Sequence, residues 1–144
     1  MCFFKKTEPK PEIELSEVQS GTIFSELGNL GLQPLYSRLD SKYYQPTDEG
    51  WAEALLYIYK TQEVPIYTSD TMDCEDFAMW LKVMLNIHFH INTCAFVIGD
   101  IPQGKHGFNL LRLSDGWYVW EPQPSFDAPF TIGTHGYEPE VYLI

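Results

Sequence analysis

The stretch that decides the fold reads Thr71-Met72-Asp73-Cys74-Glu75-Asp76-Phe77-Ala78-Met79-Trp80-Leu81-Lys82-Val83-Met84-Leu85-Asn86. Cys74, Phe77, Ala78, Leu81, Met84 and Leu85 recur at intervals that keep them on one side of a helix, so this segment is expected to bury a broad stripe. Ser69, Asp70 or Thr71 supplies a cap. Cys74 then falls in the first turn, where unpaired backbone N–H groups favour negative charge and are expected to lower a thiol pKa. Asp73, Glu75 and Asp76 crowd the same turn. They suit the helix dipole, yet their field acts on the thiol in the opposite direction.

Toward the amino end, Thr47 or Asp48 starts a second helix over 48–60, with Trp51, Leu55, Ile58 and Tyr59 on its buried side and Pro65 beyond its end. Residues 16–30 carry Val18, Ile23, Phe24, Leu27 and Leu30 at roughly helical spacing, weakened by Gly21 and Gly28. Residues 31–46 read as a connection. Pro9 and Pro11 in polar company make residues 1–15 a flexible arm, leaving 16–144 as one domain. In the other direction the period changes to that of strands. Cys94–Ile98, Phe108–Leu113 and Trp117–Trp120 alternate, and Ser114-Asp115-Gly116 marks a tight hairpin. Tyr142-Leu143-Ile144 supplies a last edge strand. Helices first and an antiparallel sheet afterwards predict an α+β domain.

Composition narrows the function. Nine Lys and Arg against twenty Asp and Glu give a formal charge of −11 over 144 residues, which repels a polyanion and excludes nucleic acid as a direct partner. No apolar run of membrane-spanning length is present, and Met1-Cys2-Phe3-Phe4-Lys5-Lys6 is too short for a secretory signal, so a soluble, cytoplasmic chain is expected. Cys2, Cys74 and Cys94 are odd in number and follow no C-x-x-C spacing, which gives neither a disulfide framework nor a structural zinc site.

A nucleophilic thiol needs a base and a group to orient that base. His106 stands 32 residues after Cys74, directly before a strand, and Glu121 follows 15 residues later at the far end of the return strand. A hairpin brings these two to one rim of the sheet. Met72-Asp73-Cys74-Glu75-Asp76-Phe77-Ala78, His106-Gly107-Phe108-Asn109-Leu110-Leu111-Arg112-Leu113 and Gly116-Trp117-Tyr118-Val119-Trp120-Glu121-Pro122 resemble, in order, the transglutaminase-like cysteine peptidase superfamily. The resemblance implies a papain-like core with N-terminal helices packed on an antiparallel sheet. It also implies Cys74 as nucleophile, His106 as base, and Glu121 where the family usually carries Asp before Pro. The activity implied is hydrolysis or acyl transfer at an amide or peptide bond through a thioester, on a peptide or protein substrate and without a cofactor. The alternative is an inactive module of the same family that holds a peptide or partner protein in an aromatic groove.

Strand geometry qualifies the third residue. If Asp115-Gly116 forms the turn and Ser114 pairs with Trp117, Glu121 lies opposite Leu110, four positions from His106 and beyond hydrogen-bond reach. A bulge, bend or longer loop is then required, and otherwise Asn109, Gln103 or Gln123 takes the role. An oxyanion donor beside the Cys74 amide comes from residues 65–73 or from Gln62. Asp73, Glu75 and Asp76 point about 100 degrees apart from residue to residue and are not expected to hold a metal. His88 and His90 read as surface near a helix end, His135 as a loop residue, Cys94 as inert core and Cys2 as part of a mobile terminus. Of Trp117 and Trp120, which face opposite ways, one is expected in a groove walled by residues 122–137.

Overall fold

The computed structural model describes residues 8–36, 39–123 and 126–144; Cys2 and the Met1–Lys6 segment lie outside them. Residues 8–14 form no regular element, although Ile13 packs against the core and Glu8 pairs with Lys60 at 3.5 Å. Strand β1 (Leu15–Gln19) leads into helix α1 (Ser20–Asn29). The helix expected across 16–30 therefore begins only after a strand. Leu15 to Gln19 pair antiparallel with β3 (Lys42–Pro46), so the stretch expected as a connection also contains a strand, and the short β2 (Gln33–Pro34) besides.

Helix α2 (Asp48–Thr61) starts where Thr47 Oγ1 accepts the Gly50 amide at 3.0 Å, a cap that satisfies an otherwise unpaired helix-start donor. Helix α3 (Cys74–Phe89) has Asp73 at its N-cap. Asp73 and Asp76 form a reciprocal capping box, and His90 closes the far end in the left-handed conformation. Its buried residues, Phe77, Ala78, Leu81, Leu85 and Phe89, keep the expected spacing.

Strands β4 (Cys94–Ile101), β5 (Gly104–Leu113), β6 (Gly116–Trp120), β7 (Phe130–Thr131) and β8 (Glu138–Leu143) join β2 in a six-stranded sheet of order β2-β8-β4-β5-β6-β7. The expected terminal edge strand, β8, in fact lies one place in from the edge, with β2 parallel outside it.

The expected architecture of N-terminal helices laid on an antiparallel sheet needs correction here. The sheet is mixed, and β1 and β3 form a separate two-stranded ribbon. Apolar residues occur at both parities of the central strands, so both faces are covered. Ala95, Val97, Phe108, Leu110, Trp117 and Val119 pack with Ile23 and Leu27 of α1. Cys94 and Leu111 pack with Trp51, Leu55 and Ile58 of α2 and Leu81 and Leu85 of α3.

Candidate functional site

The site begins where β5 touches the start of α3. A Cβ at Gly107 would stand 2.5 Å from Glu75 Cα and 2.7 Å from its amide nitrogen, a distance only a hydrogen atom allows. That approach places the Gly107 amide 3.3 Å from Cys74 Sγ, to which it donates. The half-buried thiol itself donates to Glu75 Oε2 at 3.2 Å. Burial pushes the Cys74 thiol above its ordinary range; the Gly107 amide opposes this, while Glu75 and Asp73 reinforce it. The helix-start thiolate expected from the dipole alone is thus corrected: desolvation and two neighbouring carboxyls outweigh it.

His106 precedes Gly107 and lies level with Gly99 of β4. Its Nε2 is 2.6 Å from Oε2 of Glu121, with side chains 13% and 2% exposed respectively. The same Oε2 accepts the Tyr137 hydroxyl at 2.8 Å, and Oε1 accepts the Gln123 amide at 3.0 Å. Glu121 is a buried carboxylate with three donors, which is what makes its burial tolerable. The imidazole stacks on Phe108 with ring centres 6.2 Å apart and meets Tyr137 edge-on at 5.8 Å. With Nε2–H given to a carboxylate, Nδ1 carries the lone pair and is the ring atom able to take a proton. No hydrogen bond joins the imidazole to Cys74, whose sulfur bonds to the Gly107 amide and to Glu75.

The structure therefore joins His106 to Glu121 directly and sets Cys74 against the residue next to His106. It does so without the expected bulge between β5 and β6. The turn is Ser114-Asp115: Leu113 pairs with Gly116 and Asn109 with Trp120. Glu121 consequently falls level with Phe108, two positions from His106 on the same face, a diagonal that two long side chains span. Asp48 fixes this turn, accepting the Ser114 amide at 2.8 Å and its hydroxyl at 2.6 Å. An irregularity does occur beside His106, but between β4 and β8, where the register shifts at Ile98 and Gly99.

The substitutes considered for Glu121 lie elsewhere or play other parts. Asn109 donates to the Ala78 and Ala95 carbonyls beneath α3, Gln103 is in the turn between β4 and β5, and Gln123 acts through its backbone. Gln62 bonds Thr61 at the end of α2. His88 packs edge-on to Tyr57, His90 caps α3, His135 sits between Phe126 and Phe130, and Cys94 is fully buried with its thiol pushed up to about 12. Among the described residues, Asp73, Cys74 and Glu75 bring potential ligand atoms within 4.8 Å of one another. The two carboxyls there, expected to point apart, are mutual hydrogen-bond partners, which raises the pKa of Asp73 and lowers that of Glu75.

Two contributors escaped the sequence reading. Gly107 had a signal, since a glycine inside a strand pattern marks close backbone approach. Tyr137 had none, because its role depends on where β8 enters the sheet. On the far side of Glu121 lies a cleft of about 660 Å³ lined by Trp51, Leu55, Tyr59, Trp120, Pro122 and Phe126. Trp120 Nε1 donates to the Tyr59 hydroxyl at 3.3 Å, and that hydroxyl donates to the Pro122 carbonyl at 2.6 Å.

No family model and no curated protein matches the chain. Solved structures do. A structure titled PSL1a-E64 complex superposes with a TM-score of 0.68 at 17% identity, over 89% of this chain and 51% of that one. Polyporus squamosus lectin, bound to the epitope Neu5Acα2-6Galβ1-4GlcNAc, gives a TM-score of 0.62 at 18% identity over 90% of this chain and 49% of that one. The chain thus spans about half the length of the solved chains it matches and shares their fold over that half.

These matches overturn the family expected from residues 72–122. Of the two, one is titled as a lectin and neither as a transglutaminase-like peptidase. The transglutaminase-like assignment and its papain-like core therefore do not stand. Neither does the cysteine peptidase or acyl-transferase activity that came with it, nor the inactive transglutaminase-like module. Among the described residues no helix is long and apolar enough to cross a membrane.

Proposed function

We propose that this chain is a ligand-binding domain whose site is the junction of Cys74, His106 and Glu121, with Cys74 as a nucleophilic thiol toward an electrophilic ligand. The observation that carries this reading is the buried Glu121 carboxylate holding His106 Nε2 at 2.6 Å while the next residue's amide bonds the Cys74 sulfur at 3.3 Å. A ring fixed through Nε2, next in sequence to the amide that holds a thiol kept neutral by burial, is an arrangement for moving the thiol proton to Nδ1 when a ligand arrives. In that step the S–H proton passes to Nδ1 as sulfur bonds to the electrophilic carbon, and the group displaced from that carbon leaves with its electron pair. Glu121 acts through the ring.

The test is alkylation of the intact chain by iodoacetamide, followed by mass spectrometry. Cys74 reacts at neutral pH, and His106→Ala slows it on the order of 100-fold, with the lost rate returning only above the thiol's own raised pKa. Equal neutral-pH rates in the two proteins would refute the reading.

A second reading rests on the aromatic lining of the cleft. Tyr59 and Trp120, both partly exposed, offer flat apolar faces of the kind that sugar rings stack on, and one matching structure holds a glycan. Tryptophan fluorescence during titration with Neu5Acα2-6Galβ1-4GlcNAc separates the two: a saturable change retained in Cys74→Ser supports the cleft as a glycan site, and no change dismisses it.

A further inference from the structure

Both the imidazole and a phenol lean on one oxygen of Glu121. Oε2 accepts His106 Nε2 at 2.6 Å and the Tyr137 hydroxyl at 2.8 Å, while Oε1 is occupied separately by the Gln123 amide. Tyr137 is buried, and its ring is held edge-on by His106, Phe108, Phe126 and Phe130 at 5.8, 5.1, 6.2 and 5.1 Å. Its hydroxyl cannot swing to another acceptor without dismantling that cage. We propose that Tyr137 is a positioning residue that sets the basicity of His106 by competing with it for Glu121 Oε2. This rests on the reading of His106 as the proton acceptor of the site.

A donor on a carboxylate oxygen withdraws charge from it, and the charge remaining is what stabilises an imidazolium on the same atom. With the phenol in place the carboxylate orients the ring but holds a second ring proton less strongly. The other titratable groups around this cluster are Cys74, which acts on Tyr137 and is itself flanked by Glu75 and Asp73, and Tyr59, on which Glu121 acts. None of them hydrogen-bonds Glu121, so Tyr137 is the group whose removal acts on that oxygen alone. Burial and the Glu121 carboxylate both push the Tyr137 phenol up, so it remains a donor throughout the range in which a histidine titrates.

The test is NMR titration of the His106 ring in the whole chain. Tyr137→Phe keeps the ring cage and removes only the hydroxyl; the His106 midpoint is expected to rise by about half a pH unit or more, with the Nε2–H tautomer retained. Site-specific difluorotyrosine at 137, a stronger donor, is expected to move the midpoint down. Opposite shifts from two nearly isosteric side chains cannot come from loosened packing. An unchanged midpoint in both proteins, or shifts of the same sign, overturns the proposal. This readout does not use thiol reactivity. Slow alkylation of Cys74 with opposed midpoint shifts would sink the nucleophile reading and leave the Tyr137 role standing, and the reverse pattern would do the opposite.

Discussion

A single missing methyl group decides whether β5 can approach α3. At Gly107 the atoms a Cβ would meet include the Glu75 backbone nitrogen and Cα, which no rotamer change can withdraw. Gly107→Ala is therefore expected to lift the start of α3 off the strand, costing about 1–3 kcal/mol. A lower denaturant midpoint will show this, together with altered Cys74 alkylation as the Gly107 amide leaves the sulfur. At this scale the sequence was informative about residue types and less so about their states. Cys74, His106 and Glu121 stood out by spacing, but the direction of the thiol shift did not, because desolvation depends on what β5 lays over the helix start. Tyr137 was illegible for the same reason. Its partner is 16 residues away and no periodicity links them.

Helix α2 was legible almost to its ends, because its cap residue and apolar spacing are local properties of the chain; in α3 the apolar spacing was legible, but the cap is Asp73 rather than Ser69, Asp70 or Thr71, and the helix runs to Phe89. Strands β1 and β3 were not legible: Ser16-Glu17-Val18-Gln19 has too few apolar residues to signal a strand, and it becomes one by pairing with Lys42–Gln45. The hairpin was found with its turn one residue out and its register therefore two, since the choice between turns at 114–115 and 115–116 is made by Asp48 of another element. A further tie between elements joins α1 to β5. Glu26 takes Arg112 in a two-pronged pair, both contacts at 2.7 Å, and also accepts Trp117 Nε1 at 2.8 Å. The Arg112 hydrogen bond holds the Glu26 pKa below the ordinary carboxylate value of 4.5 despite an opposing cost of burial. A carboxyl with a depressed folded pKa stabilises the fold above its unfolded value and loses that contribution as pH falls through the folded one. Glu26→Ala should thus cost about 1 kcal/mol at neutral pH, discounted for partial exposure. The gap from the parent protein should close in melts run at progressively lower pH below 4.5. A gap that persists there would mean packing, not charge, is what Glu26 supplies.

Across the whole molecule the sheet is a partition shared by two cores. Leu110 belongs to one and Leu111 to the other, so neither can melt without exposing the strands that bound its neighbour. One cooperative transition is expected, with tryptophan fluorescence and far-UV circular dichroism tracing the same denaturant midpoint. Separate midpoints would show that the cores unfold independently. The two-sided burial was implicit in the apolar residues at both parities of 94–98 and 108–113, yet reading the strands as one-sided left α1 without a place.

Residue 137 leads into β8, which lies against β4. Synthesis from the amino end delivers that strand after the helices, after the hairpin and after Glu121 itself. An emerging polypeptide therefore carries an acidic group lacking one of its three proton donors until this later strand slots home, and the full donor set at the junction becomes a signature that β8 has joined the sheet.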